Sequence, residues 1–239
     1  LEARTDAGGH DDALHIADQS YVLKQLNPNY LLYRSLQLFF QNGGGACYIV
    51  SVGDYLSDVN ANDLVAGIDA LVKEPEVTLL VIPETTMLEE QDSARVHQAM
   101  LQHCGQMKNR FAILDIWQGN QSRNHKDGDC IEKFRTTVGM QHLDYAAAYY
   151  PWLNTNIVQS NDLGIENITN PEVFDGLADR GDALSKVVRV MRATLNTLPP
   201  AAAMAGIYTS VDHSRGVWKA PANISVNSVI SPTVSVTHD

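Results

Sequence analysis

Val77-Thr78-Leu79-Leu80-Val81-Ile82-Pro83 decides the fold. The run is short, aliphatic and rich in β-branched residues, and it ends at a proline, which cannot donate to a strand ladder. It has almost no polar face, so the strand it predicts is covered on both sides, as in a parallel sheet between helices. The flanking segments agree. Upstream, Asp63 to Lys73 predicts a short helix with Leu64, Ile68, Leu71 and Val72 inward. Before it, Ala46-Cys47-Tyr48-Ile49-Val50-Ser51-Val52 predicts another buried strand. Downstream, Glu89 to Lys108 predicts a long helix with Val96, Met100, Cys104 and Met107 as one stripe, followed by a buried strand over Phe111 to Ile116. A helix over 129–138 and a strand over Tyr145 to Tyr150 complete the series. Alternation of this kind with short links predicts an α/β chain (α+β overall): an open, largely parallel sheet sandwiched by helices, with right-handed connections.

Further out the pattern changes. Asn29 to Gln41 predicts a helix, with Leu31, Leu32, Leu36, Phe39 and Phe40 at helical spacing and Gly43-Gly44-Gly45 as its stop. Residues 1–20 read as a polar loop or tail, and Pro151 to Asp182 as an irregular surface excursion rich in Asn, Asp, Gly and Thr. A helix over 184–195 carries Lys186, Arg189 and Arg192, and Pro199-Pro200 ends it or opens the next one. Ile224 to Thr237 alternates imperfectly, which predicts β-structure that pairs only partly within this chain. The chain starts without Met and stops with no closing element, so it reads as a piece of something longer. No heptad, solenoid or low-complexity repeat is visible.

With 239 residues, 44% hydrophobic and 19% charged, the chain can bury a core without disulfides or metal. Its formal net charge of −11 makes free nucleic acid and anionic membranes poor partners on average. The cysteines Cys47, Cys104 and Cys130 lack paired spacing, which argues against a secreted disulfide framework. Cys47 and Cys104 fall in apolar patterns and are expected as buried thiols. The polar, glycine-rich start does not resemble a signal peptide, and no apolar run nears the ~20 residues of a membrane span.

Several clusters invite chemistry. Gly43-Gly44-Gly45 follows a predicted helix and precedes a strand, the reverse of a phosphate loop, so a helix stop is the reading. Asp115 falls near the C-terminal end of a predicted parallel strand, where open sheets place ligands, but a structural carboxylate is the commoner occupant. His10, Asp11, Asp12 and His15 lack the spacing of a zinc site. Around Asp127-Gly128-Asp129 the rest of a calcium loop is missing, and Asp129 suits a helix N-cap. No nucleophile elbow or Cys-x-x-Cys pair is present. Tyr149-Tyr150-Pro151-Trp152 is an aromatic cluster at a strand end, suited to fixing the exit or to anchoring an interface. No cofactor is expected.

Four motifs carry a resemblance. Phe39-Phe40-Gln41-Asn42-Gly43-Gly44-Gly45-Ala46-Cys47-Tyr48-Ile49-Val50 joins a helix, a triple glycine and a Cys-Tyr-hydrophobic strand. Asn109-Arg110-Phe111-Ala112-Ile113-Leu114-Asp115 follows, then Ala146-Ala147-Ala148-Tyr149-Tyr150-Pro151-Trp152. The most specific block runs Pro199-Pro200-Ala201-Ala202-Ala203-Met204-Ala205-Gly206-Ile207-Tyr208, then Asp212-His213-Ser214-Arg215-Gly216-Val217-Trp218-Lys219-Ala220-Pro221-Ala222-Asn223. In this order, over residues 29–153 and 199–239, they resemble the contractile tail sheath proteins of phage tails and phage-tail-like injection particles.

The resemblance implies a mechanical function without an active site. It implies a sheath subunit assembled in the bacterial cytoplasm into stacked hexameric rings, held by strand exchange of terminal arms. The implied partners are an inner tube, a baseplate and terminator proteins, with neither nucleic acid nor membrane insertion. Contraction then drives the tube through a target membrane. The domains implied are a polar segment 1–28, an α/β sheath domain 29–198, and the start of a β-rich inner domain, 199–239, that this chain leaves incomplete. Gly43, Gly44, Gly45, Asp115, Pro151, Trp152, Pro199, Gly206, Gly216, Trp218, Pro221 and Asn223 are its signature positions. Asp212, Arg215 and Lys219 are expected to touch the tube or a neighbouring subunit, or else to form an internal Asp–Arg pair. The rival reading is an enzyme of open α/β fold with a site near Asp115. A static capsid or tube component fits the length and the last block poorly.

Overall fold

The computed structural model describes residues 2–5, 14–16, 19–24, 30–54, 57–168 and 181–236. Strands β1 (Glu2–Thr5), β2 (Leu14–Ile16) and β3 (Gln19–Lys24) come first. Helices α1 (Leu32–Gln41) and α2 (Ala61–Ala70) follow, then β4 (Leu79–Leu80), α3 (Glu90–Met107), β5 (Phe111–Asp115), α4 (Cys130–Thr137) and β6 (Ala146–Tyr149). The chain continues through β7 (Leu153–Thr155), α5 (Gly181–Leu195), β8 (Thr197–Leu198), α6 (Ala201–Arg215) and β9 (Val229–Pro232).

The centre is a parallel sheet in the order β4-β5-β6, with Ile113 opposite Ala147 and Leu79 opposite Phe111. Alternation along β5 sorts its two faces. Ala112 and Leu114 enter a core with Leu64 and Ile68 of α2 and Val96, Met100, Leu101 and Cys104 of α3. Ile113 enters a second core with Ala201 and Ala205 of α6, against which Phe39 of α1 packs. The sheet is therefore covered on both faces, as the apolar runs require, and the α/β architecture is the one the alternation implies.

Local chemistry sets the helix ends. Asn60 caps α2 by accepting from the Asn62 N–H at 2.7 Å. Asp129 caps α4 through the Ile131 N–H at 2.9 Å, as expected, and pairs with Arg123 at 2.7 Å. Such a cap is worth about 1 kcal/mol. Arg110 ties a short 3-10 helix, Leu71–Lys73, to the start of β5 by donating to the Leu71 carbonyl at 2.8 Å and to that of Glu74.

Several expectations need correction. The stretch 1–20, read as a loop or tail, contains strands: β1, β3 and β2 form an antiparallel sheet in that order, with Tyr21 buried. The expected strand at 46–52 is absent. No backbone hydrogen bond among the described residues involves Ala46–Val52, and all but Val52 are exposed, Cys47 included. A strand requires ladder bonds, and an apolar sequence without them does not make one. β4 is shortened for the same reason: among the described residues only β5 flanks it, and Pro83 starts a 3-10 helix, Pro83–Met87. On α2 and its extension Leu64 and Ile68 are buried, but Val72 is exposed.

The excursion after Pro151 contains β7, which joins β8 and β9 in an antiparallel sheet ordered β8-β7-β9. Among the described residues of the C-terminal segment only Val229–Pro232 forms a strand, so its expected partial pairing is what is found.

Candidate functional site

Helix α6 carries the first half of the most specific block, and its N-terminus rests on Asp115. The Ala201 N–H donates to Asp115 Oδ1 at 2.7 Å, inside the molecule. Glu84, which the sequence reading missed, does the same for α1: its Oε1 accepts from the Leu32 N–H at 2.8 Å. Two carboxylates thus sit at the N-termini of the two helices on one face of the sheet, where free N–H groups and the helix dipole favour negative charge. Burial pushes Asp115 up to about 8; the Ala201 N–H opposes the shift and nearby Glu84 adds to it. Burial likewise raises Glu84, opposed by its backbone hydrogen bonds. The carboxylate nominated for chemistry is occupied as a helix cap. The signal for Glu84 was its place directly after Pro83, at the end of an apolar strand facing the same end of the sheet as Asp115.

The two helices then cross at contact distance. A Cβ on Gly206 would strike the Phe39 carbonyl and come within 3.0 Å of Asn42 Cβ. Gly43 has φ of +93°, and a Cβ there would meet Ser210 Cβ at 2.7 Å. The triple glycine is therefore more than a helix stop: its first member lets the α1 exit touch α6. Beside this crossing the Tyr149 and Tyr208 hydroxyls share a hydrogen bond of 2.8 Å, and Tyr208 stacks on Phe111 at 6.1 Å. Burial and that hydrogen bond raise the Tyr149 phenol. Pro199 is fully buried just ahead of the helix.

Asn42 connects the crossing to the C-terminal segment. Its Nδ2 donates to the Leu38 carbonyl at 2.8 Å and to the Asn227 carbonyl at 3.2 Å, and its Oδ1 accepts from the Asn227 N–H at 2.8 Å. Trp152 anchors the other side, donating from Nε1 to the Ile116 carbonyl at 2.9 Å with Gly119 against its ring. Pro151 is buried behind a cis Tyr150–Pro151 bond.

The second half of the block faces outward. α6 ends at Gly216, whose φ is +92° and whose N–H donates to the Asp212 carbonyl at 3.0 Å. Val217 is 80% and Trp218 84% exposed. Asp212, Arg215, Lys219 and Asn223 are exposed and Pro221 is half-buried. Among the described residues no ion pair joins Asp212 to Arg215, and the Lys219 ammonium donates to the Ala220 carbonyl at 3.2 Å. The block is thus divided between a buried junction and an exposed exit.

The remaining clusters gather nothing. His10, Asp11 and Asp12 lie outside the described residues; among the described ones, no group of three His, Cys, Asp or Glu side chains is placed to hold a metal. Cys104 and Cys130 are buried. Among the described residues no helix is long and apolar enough to cross a membrane.

No family model matches the chain, and neither does any curated protein. Solved structures do. A chain in the cryo-EM structure of the anti-feeding prophage (AFP) baseplate, 6-fold symmetrised, matches with TM-score 0.52 and 26% identity, over 90% of this chain and 44% of that one. One in the AFP helical sheath in its contracted state gives TM-score 0.49 and 26% identity, over 87% and 42%. The chain spans less than half the length of either. The chain is similar to a component of the AFP baseplate assembly, part of a phage-tail-like contractile system, the kind of system its motifs implied.

Proposed function

We propose that the chain is part of a contractile tail sheath subunit that polymerises around an inner tube and contracts to drive it through a target membrane. The observation that carries this reading is the likeness of 90% of the chain, at 26% identity, to a chain of the AFP baseplate assembly. The division of the signature supports it. A subunit of a switching polymer needs a rigid body and contacts that exchange. The α1–α6 junction supplies the first; the exposed exit, Asp212 to Asn223, is available for the second. In this reading Asp212, Arg215 and Lys219 meet the tube or the next subunit. Residues 199–239 begin the inner layer of the wall, and the copies stack as hexameric rings linked by terminal strands. Baseplate and terminator proteins cap the stack, which is assembled in the bacterial cytoplasm.

The test is negative-stain microscopy of the complete gene product co-expressed with its neighbouring tube and baseplate genes. Hollow striated cylinders, long and narrow or short and wide, are expected. Monodisperse globular particles under all conditions would sink the reading.

A further inference from the structure

Arg110 is a buried charge, 3% exposed, and among the described residues it meets no carboxylate in an ion pair. Its Nε is buried too and finds no hydrogen-bond partner among them. The guanidinium rests instead on three acceptors. Two are the carbonyls of Leu71 and Glu74, each of which also takes a backbone N–H, that of Glu74 at 3.0 Å and that of Val77 at 3.4 Å. The third is Nε2 of His103 in α3, 2.5 Å from Nη1. A guanidinium can only donate, so that nitrogen is bare, and His103 is a neutral imidazole with its proton on Nδ1. The ring is itself buried. Beside it Asn109 Nδ2 donates to the Pro75 carbonyl at 3.2 Å, and the Phe111 N–H to the Thr78 carbonyl at 2.8 Å. Residues 109–111 thus clamp the connection from α2 to β4. Of the three acceptors on Arg110, His103 is the one that takes a proton near neutral pH.

We propose that His103 and Arg110 form a proton-released latch on the α2–β4 connection: neutral His103 holds the guanidinium against Leu71 and Glu74, and a proton on Nε2 lets it go. The proton occupies the lone pair that Arg110 uses and sets two cations in contact away from water, where repulsion is strong. Burial and the Arg110 charge lower the ring's affinity for that proton; Asp69, exposed on α2, opposes them. The Cys104 thiol next along α3, pushed by burial up to about 11, stays neutral. His142 lies over Gly105, two residues further on, and Lys133 of α4 meets Glu90 at the other end of α3. Because the folded ring holds its proton less tightly than the unfolded one, the latch contributes fully above the usual histidine range. That contribution is lost as pH falls through the lowered value. Release frees the entry to β4, a strand of two residues that pairs with β5 alone among the described ones. Acid therefore loosens the outer strand of the parallel sheet while its centre holds.

Two measurements on the chain in solution test this. Ring NMR of nitrogen-15-labelled protein at about pH 7.5 should show His103 with a bare Nε2, titrating below the ordinary histidine value of about 6.5. A proton on Nε2, or titration at or above that value, overturns the proposal. Hydrogen exchange of the Glu74 and Val77 amides, corrected for its intrinsic pH dependence, is then followed from about pH 7.5 to about 4.5. Their protection should fall at least about tenfold while α3 and β5 stay protected. A flat profile in the wild-type chain overturns the latch. So does a loss shared equally by α3 and β5, which is global acid unfolding. His103→Gln keeps an acceptor for Arg110 and takes no proton, so its two amides should stay protected throughout. A fall as large as in wild type would assign the effect to another group, such as His142, and overturn the latch. If the variant does not fold, the wild-type midpoints decide: exchange and the His103 ring should titrate together, and a gap above about one pH unit contradicts the latch.

Discussion

The two halves of the Pro199–Asn223 block differ in almost every physical respect. In the first, Ala201, Ala202, Ala203, Ala205, Gly206 and Ile207 are buried, the helix N-terminus is capped from inside the sheet, and a glycine meets the backbone of α1. In the second, Val217 and Trp218 stand in solvent and three charged residues have no ion-pair partner among the described residues. Small residues in the first half are dictated by this chain's own packing. Nothing among the described residues dictates a bare tryptophan, which fits the contact outside the chain proposed for the second half.

That contrast can be broken most forcefully at Gly206. Gly206→Val places a branched side chain against the Phe39 carbonyl and should cost about 3 kcal/mol or more, read as a fall in Tm of about 6–12 °C. An unchanged melting curve would show that the crossing is looser than it is here. Asp115→Ala is next: it removes the α6 cap and should cost about 2 kcal/mol, whereas Asp115→Asn, which keeps an acceptor, should cost less.

The pH dependence sharpens the same point. Asp115, raised to about 8, binds its proton more tightly folded than unfolded, so its contribution is full below the usual carboxylate range and lost as pH rises through about 8. His97, held at about 4 by burial beside Thr85, works the other way: its contribution is full above the usual histidine range and lost as pH falls through about 4. Denaturant titrations should therefore show the loss between the usual carboxylate range and about pH 8 shrinking in Asp115→Asn, and the loss between the usual histidine range and about pH 4 shrinking when His97 is replaced by Gln. If Asp115→Asn leaves the loss over that range as it was, the carboxyl is not held protonated.

The smallest expected effects on stability lie in the exposed half. Lys219→Glu and Trp218→Ala should each leave Tm within about 1 °C of wild type, while impairing assembly on tubes in pull-down or microscopy. A large loss of monomer stability in Lys219→Glu would return that residue to the interior reading.

The parallel sheet was legible because β5 and β6 are runs whose both faces are apolar. Even there the two cores on either side of β5 follow from simple alternation. What the sequence could not convey is pairing. Residues 46–52 have strand composition, but a strand is a relation between two segments, and β4 offers its edge across a groove. The N-terminal sheet was missed because short polar strands lack an apolar period. Asp115 was noticed for its position at a strand end. Its use depends on Ala201, 86 residues away, and no local pattern encodes that partner.

The junction at Trp152 also defines a load path. Beyond β9 the Thr233 N–H donates to the Trp152 carbonyl at 2.8 Å, and the Thr233 hydroxyl donates to the same oxygen at 3.1 Å. Trp152 in turn is fastened to Ile116, directly after the central strand. Tension applied to the chain past residue 236 reaches Thr233 first and passes to the middle of the sheet before the β7–β9 ladder is stretched. The tail is therefore wired as a tendon inserted near the mechanical centre of the body, and a pull on it moves the whole rigid unit rather than peeling an edge.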